Sequence, residues 1–173
     1  MLAFAALRGA PSTAEAAGDA PLAFSLPDAG GKTVSVSDLR GSPAVVFFFR
    51  GFWCAYCVEQ LVRLEKLKVG DLAGLPVVAI SPDGPSAIRK GLIAVKKNRG
   101  VVLTHRFLAD EDVVFKERYA LGSAGAGRPP AMLLLDGAGH TVWRFGESHY
   151  EKSAFEPSLE DALARLPKEP PAP

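Results

Sequence analysis

Val46-Phe47-Phe48-Phe49-Arg50-Gly51-Phe52-Trp53-Cys54-Ala55-Tyr56-Cys57 is the stretch that decides how this chain reads. The run from Ala44 to Phe49 is apolar throughout and strand-sized, the pattern of a strand covered on both faces. Past the turn, Leu61, Leu64 and Leu67 lean to one side, which predicts a helix from about residue 57 to residue 69. A strand that empties through a short turn into a helix places Cys54 at the helix N-terminus. There, unpaired backbone N–H groups and the helix dipole favour an anionic thiolate. Cys57 follows one turn later, and residues three apart on a helix have Cβ atoms roughly 5–6 Å apart, so a modest adjustment closes a disulfide. The expectation is a reversible dithiol.

A cysteine with a pKa of about 8.5 is only about 3% thiolate at pH 7, and lowering that pKa to about 7 requires about 2 kcal/mol. A helix terminus supplies ~0.3–1 kcal/mol when exposed and up to ~2 kcal/mol when partly buried. Arg50 adds to this if its guanidinium turns toward the sulfur. Cys54 and Cys57 are the only cysteines in the 173 residues. A zinc site would need more ligands: there is no second Cys-x-x-Cys, and His105, His140 and His149 lack ligand spacing. No metal and no cofactor is therefore expected. Two small buried thiols with no chemistry remain the plainer alternative.

The length fits one domain with a substantial core. A net charge of +1 without a basic run gives no electrostatic footprint for nucleic acid or an acidic membrane, and no apolar stretch approaches the ~18–20 residues of a membrane span. Met1 to Leu7 is apolar but broken by Arg8 and preceded by no basic region, so residues 1–20 read as a flexible extension rather than a secretory leader. A lone Cys-x-x-Cys suits a reducing cytoplasm better than a framework of structural disulfides would, with a periplasmic location as the alternative.

Phe24-Ser25-Leu26 and Thr33-Val34-Ser35-Val36 flank Pro27 to Gly31 as a β-hairpin, and Ser37-Asp38-Leu39 makes a short turn. Pro76 to Ser81 reads as a second buried strand, which makes strand, helix, strand a βαβ unit. Pro85 and the spacing of Ile88, Leu92 and Val95 predict a second helix, followed by a strand near Thr104–Ala109. Asp110 is placed to cap a short helix with Val114, Phe115 and Tyr119, ending at Gly122. The Gly-rich segment 122–127 reads as a loop. Ala131–Leu135 and Thr141–Phe145 form a second hairpin, Ser158 opens a last helix, and residues 168–173 are a Pro-rich tail. The domain thus spans residues 21–167.

The run Phe49-Arg50-Gly51-Phe52-Trp53-Cys54-Ala55-Tyr56-Cys57 resembles the Tyr/Phe-Arg-Gly-x-Trp-Cys-x-x-Cys signature of peroxiredoxin-like proteins in the thioredoxin superfamily, the alkyl hydroperoxide reductase and thiol-specific antioxidant group. Pro21 to Leu26 with Gly31 to Val34, and Pro130 to Gly137, are similar to that family's flanking segments. The resemblance implies an α/β thioredoxin-like fold: a central mixed β-sheet with helices on both faces and an N-terminal β-hairpin. It also implies a cis Pro130 facing Cys54 and binding an extended substrate, with Pro129 competing for that role. The usual Pro-x-x-x-Thr-x-x-Cys motif is absent, since Gly51 stands at the Thr position, and Arg50 or Arg128 is left to replace the remote arginine that polarises peroxide.

A thiol oxidoreductase follows, with Cys54 as nucleophile, Cys57 as resolving cysteine, Arg50 and Trp53 assisting at the catalytic centre, and Tyr56 and Pro130 in substrate binding. Glu59 is a candidate proton carrier. The substrate is a protein disulfide or a small hydroperoxide, and a thioredoxin- or glutathione-type partner restores the dithiol. Two other readings stay open: a thiol peroxidase proper, and a non-catalytic redox sensor or binding module.

Overall fold

Wholly apolar strands dictate a layered structure, because a sheet buried on both faces must be covered on both. The computed structural model describes residues 22–67, 74–112, 131–145 and 164. In chain order the elements are β1 (Ser25–Pro27), β2 (Thr33–Ser35), a 3-10 turn (Val36–Leu39), β3 (Ala44–Phe48), α1 (Ala55–Leu67), β4 (Val77–Ser81), α2 (Pro85–Arg99), β5 (Arg106–Ala109), β6 (Ala131–Leu135) and β7 (Thr141–Phe145). The extension 1–20, the helices expected after Asp110 and Ser158, the Gly-rich loop, Arg128, Pro129, Pro130 and the tail 168–173 lie outside the described residues.

The main sheet has the order β5-β4-β3-β6-β7. β4 runs parallel to both β3 and β5, whereas β3 pairs antiparallel with β6 and β6 with β7, so the sheet is mixed. β3 lies at its centre, and Phe47 stands opposite Ala79 on one side and Met132 on the other. Every residue of β3, β4 and β6 is buried.

Alternation along β3 divides the core. Val45, Phe47 and Phe49 meet Leu61 and Leu64 of α1 and Ile88 of α2 on one face. Ala44, Val46 and Phe48 meet Leu22, Phe24, Val34, Val36 and Leu39 on the other. The two helices share a face for a topological reason: β3-α1-β4 and β4-α2-β5 step in the same direction across the sheet, and crossovers of one hand then land on one side. Among the described residues, the opposite face is covered by the N-terminal hairpin and the 3-10 turn rather than by a helix.

Local chemistry explains the boundaries. Asp28 Oδ1 accepts the amides of Gly30 at 2.8 Å and Lys32 at 2.9 Å and so shapes the β1–β2 turn. Pro85 opens α2, Gly100 closes it at φ 67° with its N–H on the Lys96 carbonyl, and Lys96, Lys97 and Arg99 complement the dipole in the last turn. Apolar periodicity placed the start of α1 near residue 57, but the helix begins at Ala55 because Cys54 caps it directly.

Leu64→Ala removes a fully buried side chain and is expected to lower stability by about 2–5 kcal/mol, whereas Ile93→Ala, at an exposed site, stays within about 0.5 kcal/mol. Urea denaturation of the two variants checks this ordering of the core.

Candidate active site: a dithiol at the head of the first helix

β3 delivers the chain to the carboxyl end of the sheet, where the five residues Phe49 to Trp53 turn it into α1. Gly51 carries φ 129°, a conformation that L side chains rarely adopt. It also lacks room for a side chain: a Cβ there would lie 2.7 Å from the Trp53 indole nitrogen and 3.0 Å from Asp83 Oδ2. Phe52 pins the loop. Its ring sits edge-on to Phe49 at 5.4 Å between centroids, 5.6 Å from Phe107, and directly against Gly91 of α2, where a Cβ would lie 2.2 Å from the ring. Its amide donates to Asp83 Oδ2 at 3.2 Å, and Ser81 Oγ accepts the Asp83 amide at 3.2 Å.

This loop leaves Cys54 as the cap of α1. Its carbonyl accepts the first helical bond, from the Val58 amide at 3.0 Å. Its sulfur accepts the Cys57 amide at 3.4 Å and the Cys57 thiol at 2.8 Å. Both cysteines are free thiols. They are not equivalent, because Cys54 retains 9% of its surface and Cys57 none. Burial pushes the Cys57 thiol up to about 12, and its hydrogen bond to Cys54 adds to the rise; a backbone hydrogen bond from Arg50 pulls the other way and loses. Cys57 therefore keeps its proton at neutral pH and presents it to Cys54, the sulfur nearer solvent.

Arg50 places its guanidinium 4.6 Å from the centre of the Trp53 ring, and its charge is also felt at Cys57. Trp53 is 67% exposed, so it forms a rim beside the dithiol. Tyr56 is half-buried against the same core cluster as the two sulfurs, and burial, with Cys57 adding to it, raises its phenol further above neutrality. The loop and the first turn thus bring Arg50, Trp53, Cys54, Tyr56 and Cys57 together. Glu59 is in an i, i+4 pair with Arg63 at 3.3 Å. His105 donates through Nε2 to the Leu61 carbonyl at 2.9 Å, His140 stands beside Asp136 in the β6–β7 turn, and His149 lies outside the described residues.

Two residues near the dithiol carry no sequence signal of their own. Asp83 is recoverable only from the rule that loops at the carboxyl ends of neighbouring parallel strands converge. Gln60 is 2% exposed on α1, and among the described residues neither its Oε1 nor its Nε2 has a hydrogen-bond partner. Such an omission costs about 1–3 kcal/mol per group, so it requires a reason.

A family model described as the AhpC/TSA family matches residues 17–143. A Mycobacterium tuberculosis protein named as a peroxiredoxin is 41% identical over 73 residues, which cover 41% of this chain and 46% of that protein, so the match spans just under half of the relative's length. A variant of Xanthomonas campestris peroxiredoxin Q superposes with a TM-score of 0.65 at 16% identity, covering 82% of this chain and 90% of that one; at that identity the likeness is one of fold. A Chlorobium tepidum structure described as a thiol:disulfide interchange protein, DsbE, superposes with a TM-score of 0.64 at 25% identity, covering 84% and 96%.

At neutral pH a charged-thiol alkylating agent is expected to modify one cysteine of the native protein, at position 54, and the second only after unfolding; two equivalents from the native state would contradict the burial of Cys57. Because the folded protein holds the Cys57 proton from the ordinary 9.0 up to about 12, while the unfolded chain releases it, stability is full below pH 9 and falls as pH rises through that window. Replacing Cys57 by Ala flattens that limb in pH-dependent melts. At position 91, Ala gains about 1 kcal/mol of helix propensity, but a clash at 2.2 Å belongs at the upper end of the ~1–3 kcal/mol overpacking range. Gly91→Ala is therefore expected to melt lower than the parent, and an unchanged melt removes the Phe52 seat.

Proposed function

The chain belongs to the AhpC/TSA family, and we propose that it is a thiol-dependent redox enzyme in which Cys54 attacks and Cys57 resolves. The observation that carries this is the asymmetric pair: two free, buried thiols 2.8 Å apart at the head of one helix, the first keeping 9% of its surface and the second fully sealed and protonated. In the exchange reaction, the Cys54 thiolate attacks one sulfur of a disulfide and expels the other as a thiolate. Cys57 then loses its proton, attacks Cys54 and releases the second half of the substrate, leaving Cys54–Cys57. One thioredoxin-type dithiol, or two molecules of a glutathione-type thiol, reduces the Cys54–Cys57 disulfide and restores the resting dithiol, a cycle suited to a reducing compartment such as the cytoplasm. Arg50 and Trp53 act at the rim, and Tyr56 contacts the incoming substrate.

The second reading is a peroxidase, favoured by the names of the relatives. Cys54 attacks the terminal peroxide oxygen, giving a sulfenic acid and an alcohol or water; Cys57 condenses with the sulfenic acid to give the disulfide and water. Gly51, where the peroxidase motif has a hydroxyl, favours the first reading, because the loop offers no side-chain donor there. Insulin-disulfide reduction and peroxide consumption, measured on one preparation with a common thiol donor, separate the two. Cys54→Ser is expected to abolish turnover, a loss of at least about a thousandfold for removal of a nucleophile. Cys57→Ser is expected to accumulate a stable mixed disulfide on Cys54. An unmodified Cys54 in that variant, under oxidised glutathione, contradicts the order of attack, and a disulfide that forms without either turnover assigns the protein to redox sensing instead.

A further inference from the structure

Gln60 lies one turn beyond Cys57 on α1 and beside the buried stripe of Cys57, Leu61 and Leu64. Helical side chains lean toward the N-terminus, which puts the turn that carries Tyr56 and Cys57 within reach of its carboxamide. Both of its polar atoms are sealed from solvent and unpaired among the described residues. In the resting dithiol Cys57 is itself the donor, to Cys54, and offers a neighbouring N–H no charged acceptor. That changes only while Cys57 is an anion.

We propose that Gln60 is a hydrogen-bond donor reserved for the Cys57 thiolate during ring closure, an assignment that rests on the redox reading above. The Cys57 S–H bond breaks and its proton passes to water. The sulfur then attacks Cys54 Sγ, the Cys54–Cys57 bond forms, and the bond from Cys54 to the substrate sulfur breaks. The substrate sulfur leaves with the electron pair and takes up a proton. Negative charge rests on Cys57 only between proton loss and closure. A donor that is unpaired before and after that interval stabilises the closing state more than either end state, the condition for accelerating a step. In the resting dithiol the amide bonds no acceptor among the described residues, the Cys57 sulfur included, so it reaches the thiolate by a turn of its own side chain. Being buried, it needs no solvent reorganisation to act.

The full chain and its Gln60→Leu and Gln60→Met variants test this with a chromogenic aryl disulfide, which releases one arylthiolate when Cys54 attacks and a second when the ring closes. The first phase is expected to match the parent's. The second is expected to slow roughly ten- to a hundredfold, the range for a lost hydrogen bond to a charged group. Both variants are expected to melt at or above the parent's temperature, since an unpaired amide has been removed. Slower closure in a more stable protein is a combination that a packing role does not produce. An unchanged second phase in a folded variant overturns the role of Gln60 alone, and so does lowered stability in both variants, which would show the amide to be paired. A parent that releases only one arylthiolate overturns the redox reading and this proposal with it.

Discussion

The bond from the Cys57 amide to the Cys54 sulfur is the contact on which the site depends. Every helix begins with backbone donors that lack a partner, and a short polar side chain usually satisfies one of them. Here a sulfur does so, and the atom that starts α1 is also the atom proposed to react. Oxidation is therefore a perturbation of the first turn of a helix. The tight loop, the left-handed Gly51 and the seat for Phe52 fix that sulfur at the cap, within the same buried cluster that holds Cys57.

The sheet explains why the cap is where it is. β3 occupies the centre, is paired on both sides and is buried on both faces, so its end is among the least movable points of the fold. Loops at the ends of β3 and β4 meet above it, and Asp83 links them through the Phe52 amide. The fold by itself does not choose a chemistry. Solved structures that share it include both a peroxiredoxin Q and a protein described as a thiol:disulfide interchange protein. What distinguishes sites on such a scaffold is which sulfur is sealed, and which donors face it.

Much of this was legible before any coordinates. Uninterrupted apolar runs located β3, β4 and β6, and Pro85 with the spacing of Ile88, Leu92 and Val95 marked α2, because burial on both faces and helical periodicity leave direct marks in composition. The dithiol was legible from spacing and the strand-to-helix change. Its asymmetry was not: nothing in Cys-Ala-Tyr-Cys states that one thiol keeps 9% of its surface and the other none, since that depends on how α1 is rotated over the sheet. Asp83 is 31 residues from Phe52 in sequence and is joined to it only by strand order. Gln60 reads as an ordinary polar residue of a helix flank until its burial is known. The shared face of α1 and α2 likewise depends on the direction in which successive strands are added, which pattern alone does not encode.

The Phe52 ring against Gly91 has a consequence for how this protein can vary. The ring occupies the volume that any side chain at 91 would need, so the identity of the loop residue and that of the helix residue are not independent choices. Substitutions at the two positions are expected to be strongly non-additive, as contacting residues are. A bulkier residue at 91 becomes acceptable only after 52 has shrunk. Descent through such a pair has an order, and α2, which holds neither cysteine, carries part of the history of the loop that leads into the dithiol.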